Sequence, residues 1–382
     1  MKRYVVAIDA RWAVRRMSGI GQYILQLAHR MPALDPGLQL TLLVDRAMEP
    51  RLLPTGCEQA VLGSYLGDGT PPARCYSPFW LNFEVPRYLA RNRVDLFHGA
   101  NFVIPRFTPC RTVATVHDMS FFRAPYVYGP VYRRYMQRQV RATVRRADAL
   151  VAISNRTRDD LVELQGTQRE RIDVIHCGVD GEYREHHADE YLRSVQSKLA
   201  LPERYILHVG IVEEKKNLEA ALEASVSALS GGLVDAILFA GRDGLGAKRI
   251  RRLASRLGLG QKARFLGFVP QELLPGLYAM AALFVFPSRY EGFGLPVLEA
   301  MASGVPVISS GTSSVPEVAG DAAILLDPTD VEGLSQAIVA VLTDGELRAR
   351  LRVRGLSRAL RFSWDEAAAK HVAVYRRVLE TG

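Results

Sequence analysis

Long apolar runs are missing from this chain, and cysteine is scarce. Nowhere do about 18 uninterrupted apolar residues occur, so the sequence predicts no membrane-spanning helix. The four cysteines, Cys57, Cys75, Cys110 and Cys177, are too few for a disulfide scaffold in 382 residues, and none stands in a C-x-x-C pair. That argues against a structural zinc site and suits reduced thiols in a cytoplasm. The N-terminus, Met1-Lys2-Arg3-Tyr4-Val5-Val6-Ala7-Ile8-Asp9, has an apolar stretch that a charge cuts short, so it reads as a first strand and not as a signal peptide. Acids are outnumbered, 40 against 49 Lys and Arg, which leaves a net charge of +9 and a pI near 9.5. An anionic partner is implied, whether nucleic acid, a membrane face or a phosphorylated substrate.

What is abundant is alternation. Hydrophobic residues make up 48% of the chain, enough at this length for two cores. Strand-like runs at Tyr4–Ile8, Leu40–Asp45, Leu96–His98, Val113–His117 and Asp148–Ser154 are separated by helical patterns. A second series begins at Tyr205–Val209 and continues through Ala236–Ala240, Ala263–Val269, Leu283–Pro287, Val305–Ser309 and Ala323–Leu326. The pattern predicts an α/β fold of two doubly wound parallel sheets, each a Rossmann-like domain, with strand ends toward a common cleft. The polar segment from Gly181 to Leu199 reads as a linker, giving domains over 1–195 and 196–382. The last helix, about 364–380, could cross back onto the first domain.

The stretch Glu291-Gly-Phe-Gly-Leu-Pro-Val-Leu-Glu299 follows an apolar run and opens a helix. Pro296 suits a first helical turn, and Gly304 suits the left-handed position after the last one. Such a strand, glycine loop and helix can present backbone N–H groups to a phosphate, with both carboxylates bordering one cavity. Equally, glycine turns of this kind occur in α/β folds without any ligand. Gly19-Ile20-Gly21 precedes a helix after the first strand, and the lysine pair Lys215-Lys216 precedes another, well placed to neutralise a diphosphate. His117 and Asp118 stand at a strand end, where a histidine is either packed or catalytic. Between Phe121 and Arg146 lie seven arginines and no acid, Arg133, Arg134 and Arg138 among them. This helix reads as a solvated basic face or as one that rests on anionic headgroups. No nucleic-acid-binding motif accompanies the charge, which disfavours nucleic acid as the partner.

Taken in order, Gly19-x-Gly21, His117-Asp118, Glu213-x-Lys215-Lys216-Asn217, the Glu291 to Glu299 motif and Pro316-Glu317-Val318 resemble the retaining GT-B glycosyltransferases of group 1. The similarity is greatest to bacterial mannosyl- and rhamnosyltransferases of surface polysaccharide and O-antigen synthesis, and it extends over nearly the whole chain. It implies a cytoplasmic hexosyltransferase with a nucleotide-diphosphate sugar as donor, GDP-mannose favoured, bound mainly by the second domain. The acceptor would be a glycan or polyprenyl-diphosphate-linked oligosaccharide, with the enzyme peripheral on an anionic membrane. By the same resemblance Glu291 contacts the transferred sugar, with His117 and Asp118 beside it. Backbone groups of Phe293, Gly294 and Leu295 meet sugar hydroxyls or phosphate, Glu299 bonds the ribose, and Lys215 and Lys216 hold the diphosphate. Gly19 and Gly21 let the first loop approach phosphate or acceptor. One departure is Ile211, where many members carry arginine, and another is Lys215, since lysine offers a point charge without arginine's bidentate fork. No Asp-x-Asp occurs, so no cofactor is expected, metal included. Alternatives remain: a GT-B enzyme that epimerises the sugar nucleotide at C2 or a phosphorylase that uses free phosphate, and a non-catalytic sugar-nucleotide or polyanion binder.

Overall fold

The computed structural model describes residues 2–15, 19–63, 78–184 and 186–381; Cys75 and the Met17-Ser18 portion of the first glycine loop lie outside them. Two compact units divide the chain: Met1–Phe122, Tyr128–Gly178 and Trp364–Gly382 form one, Arg123–Val127 and Val179–Ser363 the other.

Among the described residues the first unit holds seven parallel strands, β1 (Tyr4–Asp9), β2 (Leu38–Val44), β3 (Cys57–Val61), β4 (Leu96–Gly99), β5 (Arg111–Val116), β6 (Ala149–Ala152) and β7 (Ile172–Val174), in the order β3-β2-β1-β4-β5-β6-β7. β4 and β6 are buried at every position. Strands covered by helices on both faces must be apolar throughout, which is why they read as unbroken runs. β3, Cys-Glu-Gln-Ala-Val, is a half-exposed edge strand. Its polar content hides it from a reading that looks for apolar runs, yet suits an edge. The C-terminal helix Trp364–Glu380 packs on the helix Gly19–Leu34 of this unit, burying Trp364, His371, Val374 and Tyr375. Arg376 grips Asp35 through two nitrogens at 2.6 and 2.7 Å.

The second unit has six parallel strands, β8 (Tyr205–Val209), β9 (Ala236–Ala240), β10 (Ala263–Gly267), β11 (Leu283–Phe286), β12 (Val307–Ser310) and β13 (Ile324–Leu326), ordered β10-β9-β8-β11-β12-β13. Counted from β8 this is the 3-2-1-4-5-6 order of a dinucleotide-binding Rossmann sheet, whose strand order reverses between β8 and β11. Ile206, Ile237, Phe239 and Val285 meet Leu218, Leu222 and Ile338 in its core. The segment expected as a linker contains the helix Asp189–Leu199, which lies in this unit. Only Val195 of it is buried, so its apolar stripe is too narrow to stand out. Asp189 and Glu190 occupy its first turn, where negative charge is favoured. Tyr191 ties it to the unit through a bond from its hydroxyl to the Glu272 carbonyl at 2.8 Å.

Candidate active site

Two loops leave the second sheet at its reversal point, one after β8 and one after β11, and this is where open α/β sheets hold ligands. The loops are tied where Arg289 N donates to the Lys215 carbonyl at 2.9 Å, with Ser288 Oγ lying 3.2 Å from the same oxygen. This tie brings Lys216 Nζ to 2.7 Å from Glu291 Oε1, and Ser288 Oγ donates to that oxygen as well. Lys215, Lys216 and Glu291 are all buried. Burial pushes the Glu291 carboxyl up, but Lys216 and then Lys215, with the bonds from Lys216 and Ser288, outweigh it and hold the group below the ordinary carboxylate range. The backbone of Glu291 is fixed too: its N–H donates to Ser313 Oγ at 3.0 Å, and its carbonyl accepts from Ser314 Oγ at 2.9 Å.

The next element is the helix Leu295–Ala302, which has no side-chain cap at its N-terminus. Gly294 precedes it with φ +106°, a conformation open to glycine and costly for any other residue. Glu299, one turn in, does not join the Lys216 pair. Its Oε2 accepts from Tyr278 Oη at 2.8 Å, and Tyr183 also donates to the carboxyl. Burial pushes the Glu299 carboxyl up to about 7, with Asp180 adding to the rise and the tyrosine bonds opposing it. Phe293 is buried edge-on against Phe362 at 5.8 Å, so only its backbone is available to a ligand. Ile211, by contrast, is exposed.

In the first unit His117 follows β5. Its Nε2 donates to the Ala100 carbonyl at 2.8 Å, which leaves Nδ1 as the acceptor. Burial lowers its pKa despite that bond and the Asp118 charge, so the ring is neutral near pH 7. Asp118 Oδ1 accepts from Ser120 N at 2.8 Å and Ser120 Oγ at 2.6 Å, holding the turn after His117. Gly19 and Gly21 lie inside the helix Gly19–Leu34. A Cβ on Gly21 would come within 2.6 Å of the Trp12 carbonyl oxygen, so close helix packing alone requires glycine there. Arg134 and Arg138 are exposed on the helix Pro130–Arg146, and Arg133 is half-buried.

Behind His117 runs a buried hydrogen-bond chain that the sequence does not announce. Tyr375 Oη meets His98 Nδ1 at 2.6 Å, His98 Nε2 meets Thr115 Oγ1 at 2.8 Å, Thr115 Oγ1 meets Tyr23 Oη at 2.9 Å, and Tyr23 Oη meets His371 Nε2 at 2.6 Å. His371 Nδ1 lies 2.7 Å from the Ala367 carbonyl, which can only accept. The direction of every proton follows from that end: Tyr23 donates to His371, Thr115 to Tyr23, His98 to Thr115, and Tyr375 to His98. The Tyr23 ring stands edge-on to His117 with centroids 5.0 Å apart. Its members are scattered from position 23 to 375, and no spacing rule could have gathered them. Ser288, Ser313, Ser314, Tyr183 and Tyr278 escaped notice for the same reason, although Ser313-Ser314 precede the recognised Pro316-Glu317.

Comparison with known proteins identifies the family and the fold. Residues 17–183 match the family model described as Glycosyltransferase Family 4, and residues 193–358 match that of Glycosyl transferases group 1. An O-antigen chain mannosyltransferase B of Escherichia coli is 33% identical over 282 residues, 74% of each chain. A serotype-specific mannosyltransferase, WbdA, from the same organism is 31% identical over 72% of this chain, which spans only 34% of that protein's length. Among solved structures, a sucrose-phosphate synthase of Thermosynechococcus elongatus superposes with a TM-score of 0.79 at 21% identity, covering both chains fully. That likeness establishes the GT-B class of two Rossmann-like halves. With the residue matches running through both halves, the chain belongs to the group 1 glycosyltransferases.

Proposed function

We propose that this protein is a retaining hexosyltransferase that moves mannose, or a related deoxyhexose, from a GDP-sugar to a hydroxyl of a growing lipid-linked glycan. The observation that carries the reading is the buried Lys216–Glu291 pair at the reversal point of the second sheet. A cation and an anion held there side by side match a donor whose leaving group gains negative charge while its anomeric carbon gains positive character. One relative named an O-antigen chain mannosyltransferase and another named a serotype-specific mannosyltransferase favour mannose and a surface polysaccharide.

In this mechanism Lys216 and Lys215, with the Leu295 N–H at the start of the helix Leu295–Ala302, stabilise the diphosphate as the C1–O bond breaks; Pro296 has no N–H, and those of Val297 and Leu298 bond the Gly294 carbonyl. Glu291 holds the donor sugar and faces its developing positive charge. The acceptor hydroxyl attacks C1 from the leaving-group side, and its proton passes to a diphosphate oxygen. Glu299 accepts from the ribose hydroxyls. His117, neutral and fixed through Nε2, keeps Nδ1 as the acceptor for a substrate hydroxyl. Lysine charge takes the part that a divalent cation would play. The arginines of the helix Pro130–Arg146 rest on the anionic headgroups of a cytoplasmic leaflet that bears the acceptor. Among the described residues no helix is long and apolar enough to cross a membrane, so such contact would be peripheral.

The test is a melting-temperature panel of GDP, UDP, ADP and dTDP and their sugars, followed by transfer to a lipid-linked oligosaccharide and determination of the new linkage by NMR. GDP forms should stabilise the protein most, and the α-configuration of the donor should persist in the product. Inversion would end the retaining assignment. Conversion of the donor to its C2 epimer without acceptor would replace transfer by epimerisation.

A further inference from the structure

His208 lies on β8 and is fully buried. Its Nδ1 is 3.0 Å from the Val285 carbonyl oxygen. A carbonyl only accepts, so Nδ1 carries the hydrogen and Nε2 keeps a bare lone pair. That Nε2 has no hydrogen-bond partner among the described residues. An empty acceptor in a protein interior is uncommon and calls for a physical reason. The imidazole lies nearly flat on Phe286, centroids 5.2 Å apart and planes at 13°, and the Lys216 ammonium sits 5.1 Å from the centroid of the same Phe286 ring. A Cβ on Gly210 would lie 3.4 Å from His208 Nε2 and 3.9 Å from Lys216 Nζ. Lone pair and ammonium therefore border one gap, open because residue 210 has no side chain.

We propose that His208 is a positioning residue for Lys216, giving its ammonium a second seat when Glu291 turns to the donor sugar. The inference rests on the reading of Lys216 as a diphosphate ligand. An ammonium has three N–H donors, and Glu291 takes one of them at 2.7 Å. The two acceptors differ in kind. A carboxylate cancels the charge of the ammonium it holds, whereas an imidazole lone pair orients the ammonium and leaves the charge intact. Seated on His208, Lys216 brings its whole charge to the departing diphosphate, in surroundings where charge acts strongly. His208 serves only while neutral, and it stays so: burial takes its pKa down to about 3, Lys216 adds to the fall, and the Val285 bond and Glu291 oppose it.

Binding of GDP, or of whichever diphosphate in the panel stabilises the protein most, and steady-state transfer are measured for His208→Phe, His208→Gln and Lys216→Ala. Phenylalanine continues the aromatic stack and deletes the empty acceptor, so His208→Phe should melt no earlier than the parent. Its kcat should fall about tenfold, the scale of losing an outer partner of a charged ligand group. Glutamine, whose amide oxygen accepts, should restore part of the loss. In the parent, the 15N resonance of His208 Nε2 should move on diphosphate addition as the lone pair takes up a hydrogen bond. A resonance that stays put, or a His208→Phe enzyme within twofold of the parent while Lys216→Ala is crippled, overturns the inference and leaves the glycosyltransferase reading standing. An unimpaired Lys216→Ala overturns this inference together with the assignment of Lys216 to the diphosphate.

Discussion

At the carboxyl end of β5, histidines and tyrosines are buried without charge, each hydroxyl and imidazole satisfied by the next. At the carboxyl ends of β8 and β11, lysines and glutamates are buried as well, and there Lys216 forms an ion pair with Glu291, whose carboxyl is held below the ordinary range. The two sheets share a strand order around their reversal points, so topology does not account for the contrast. A neutral chain resists ionisation and fixes ring positions. A buried ion pair is held in tension, each charge costly without its partner, and can exchange that partner for a charged ligand. On the function proposed above, the ion pair is the part that would meet the charged diphosphate of the donor.

The sharpest way to break the comparison is Glu291→Gln, which keeps the shape and removes the charge. Transfer should fall by about 10²–10³-fold, the scale of losing one electrostatic contact to a transition state, while the nucleoside diphosphate still raises the melting temperature. Turnover within a few-fold of the parent would remove Glu291 from the mechanism.

The neutral chain breaks next, at its middle. Tyr23→Phe strands the Thr115 hydroxyl and His371 Nε2, both buried, and should cost about 2 kcal/mol of stability in the first unit. Acid should do the same. Burial takes the pKa of His371 down from 6.5 to about 4, with the Ala367 bond opposing the fall, so the unfolded chain takes the proton first. The stabilisation is complete above pH 6.5 and is lost as the pH falls toward 4. Hydrogen exchange along the helix Trp364–Glu380 should quicken over that interval, and no change there would refute the directed chain.

Glu299 sharpens the charged side. Burial raises its pKa to about 7, and the proposed ribose contact calls for the ionised form, so nucleotide affinity should rise about tenfold between roughly pH 6 and 8, following the ionised fraction. Glu299→Gln should flatten that slope, and a slope that survives belongs to some other group. The smallest effect is expected on the surface, where replacing Arg134 and Arg138 should weaken binding to vesicles rich in phosphatidylglycerol by about 1 kcal/mol per arginine without touching turnover on a soluble acceptor. Unchanged vesicle binding would dismiss the lipid contact.

Much of the fold was legible because parallel strands and their helices announce themselves by local period. The Glu291 to Glu299 motif was legible because its glycines, proline and acids lie within nine residues and each has a local reason for its place. The partners were not. Nothing in the sequence says that Glu291 and Glu299, eight residues apart, turn to different neighbours, Lys216 for one and Tyr278 for the other. β3 and the helix Asp189–Leu199 were hidden by polarity, since each buries too little apolar surface to show a period. Gly21, which reads as part of a phosphate loop, has a packing reason as well that no local pattern shows: its neighbour Trp12 leaves no room for a Cβ.

The placement of the C-terminal helix bears on how the protein is made. Its Tyr375 and His371 complete a network begun by Tyr23, His98 and Thr115, although residues 179–363 between them belong to the other unit. A ribosome releases the early strands long before it reaches position 364, and until then the hydroxyl of Tyr23 lacks His371 as its acceptor. The first unit thus waits, unsealed, for the second to be translated, and a chain cut short before Trp364 would carry its defect in the half that was synthesised first.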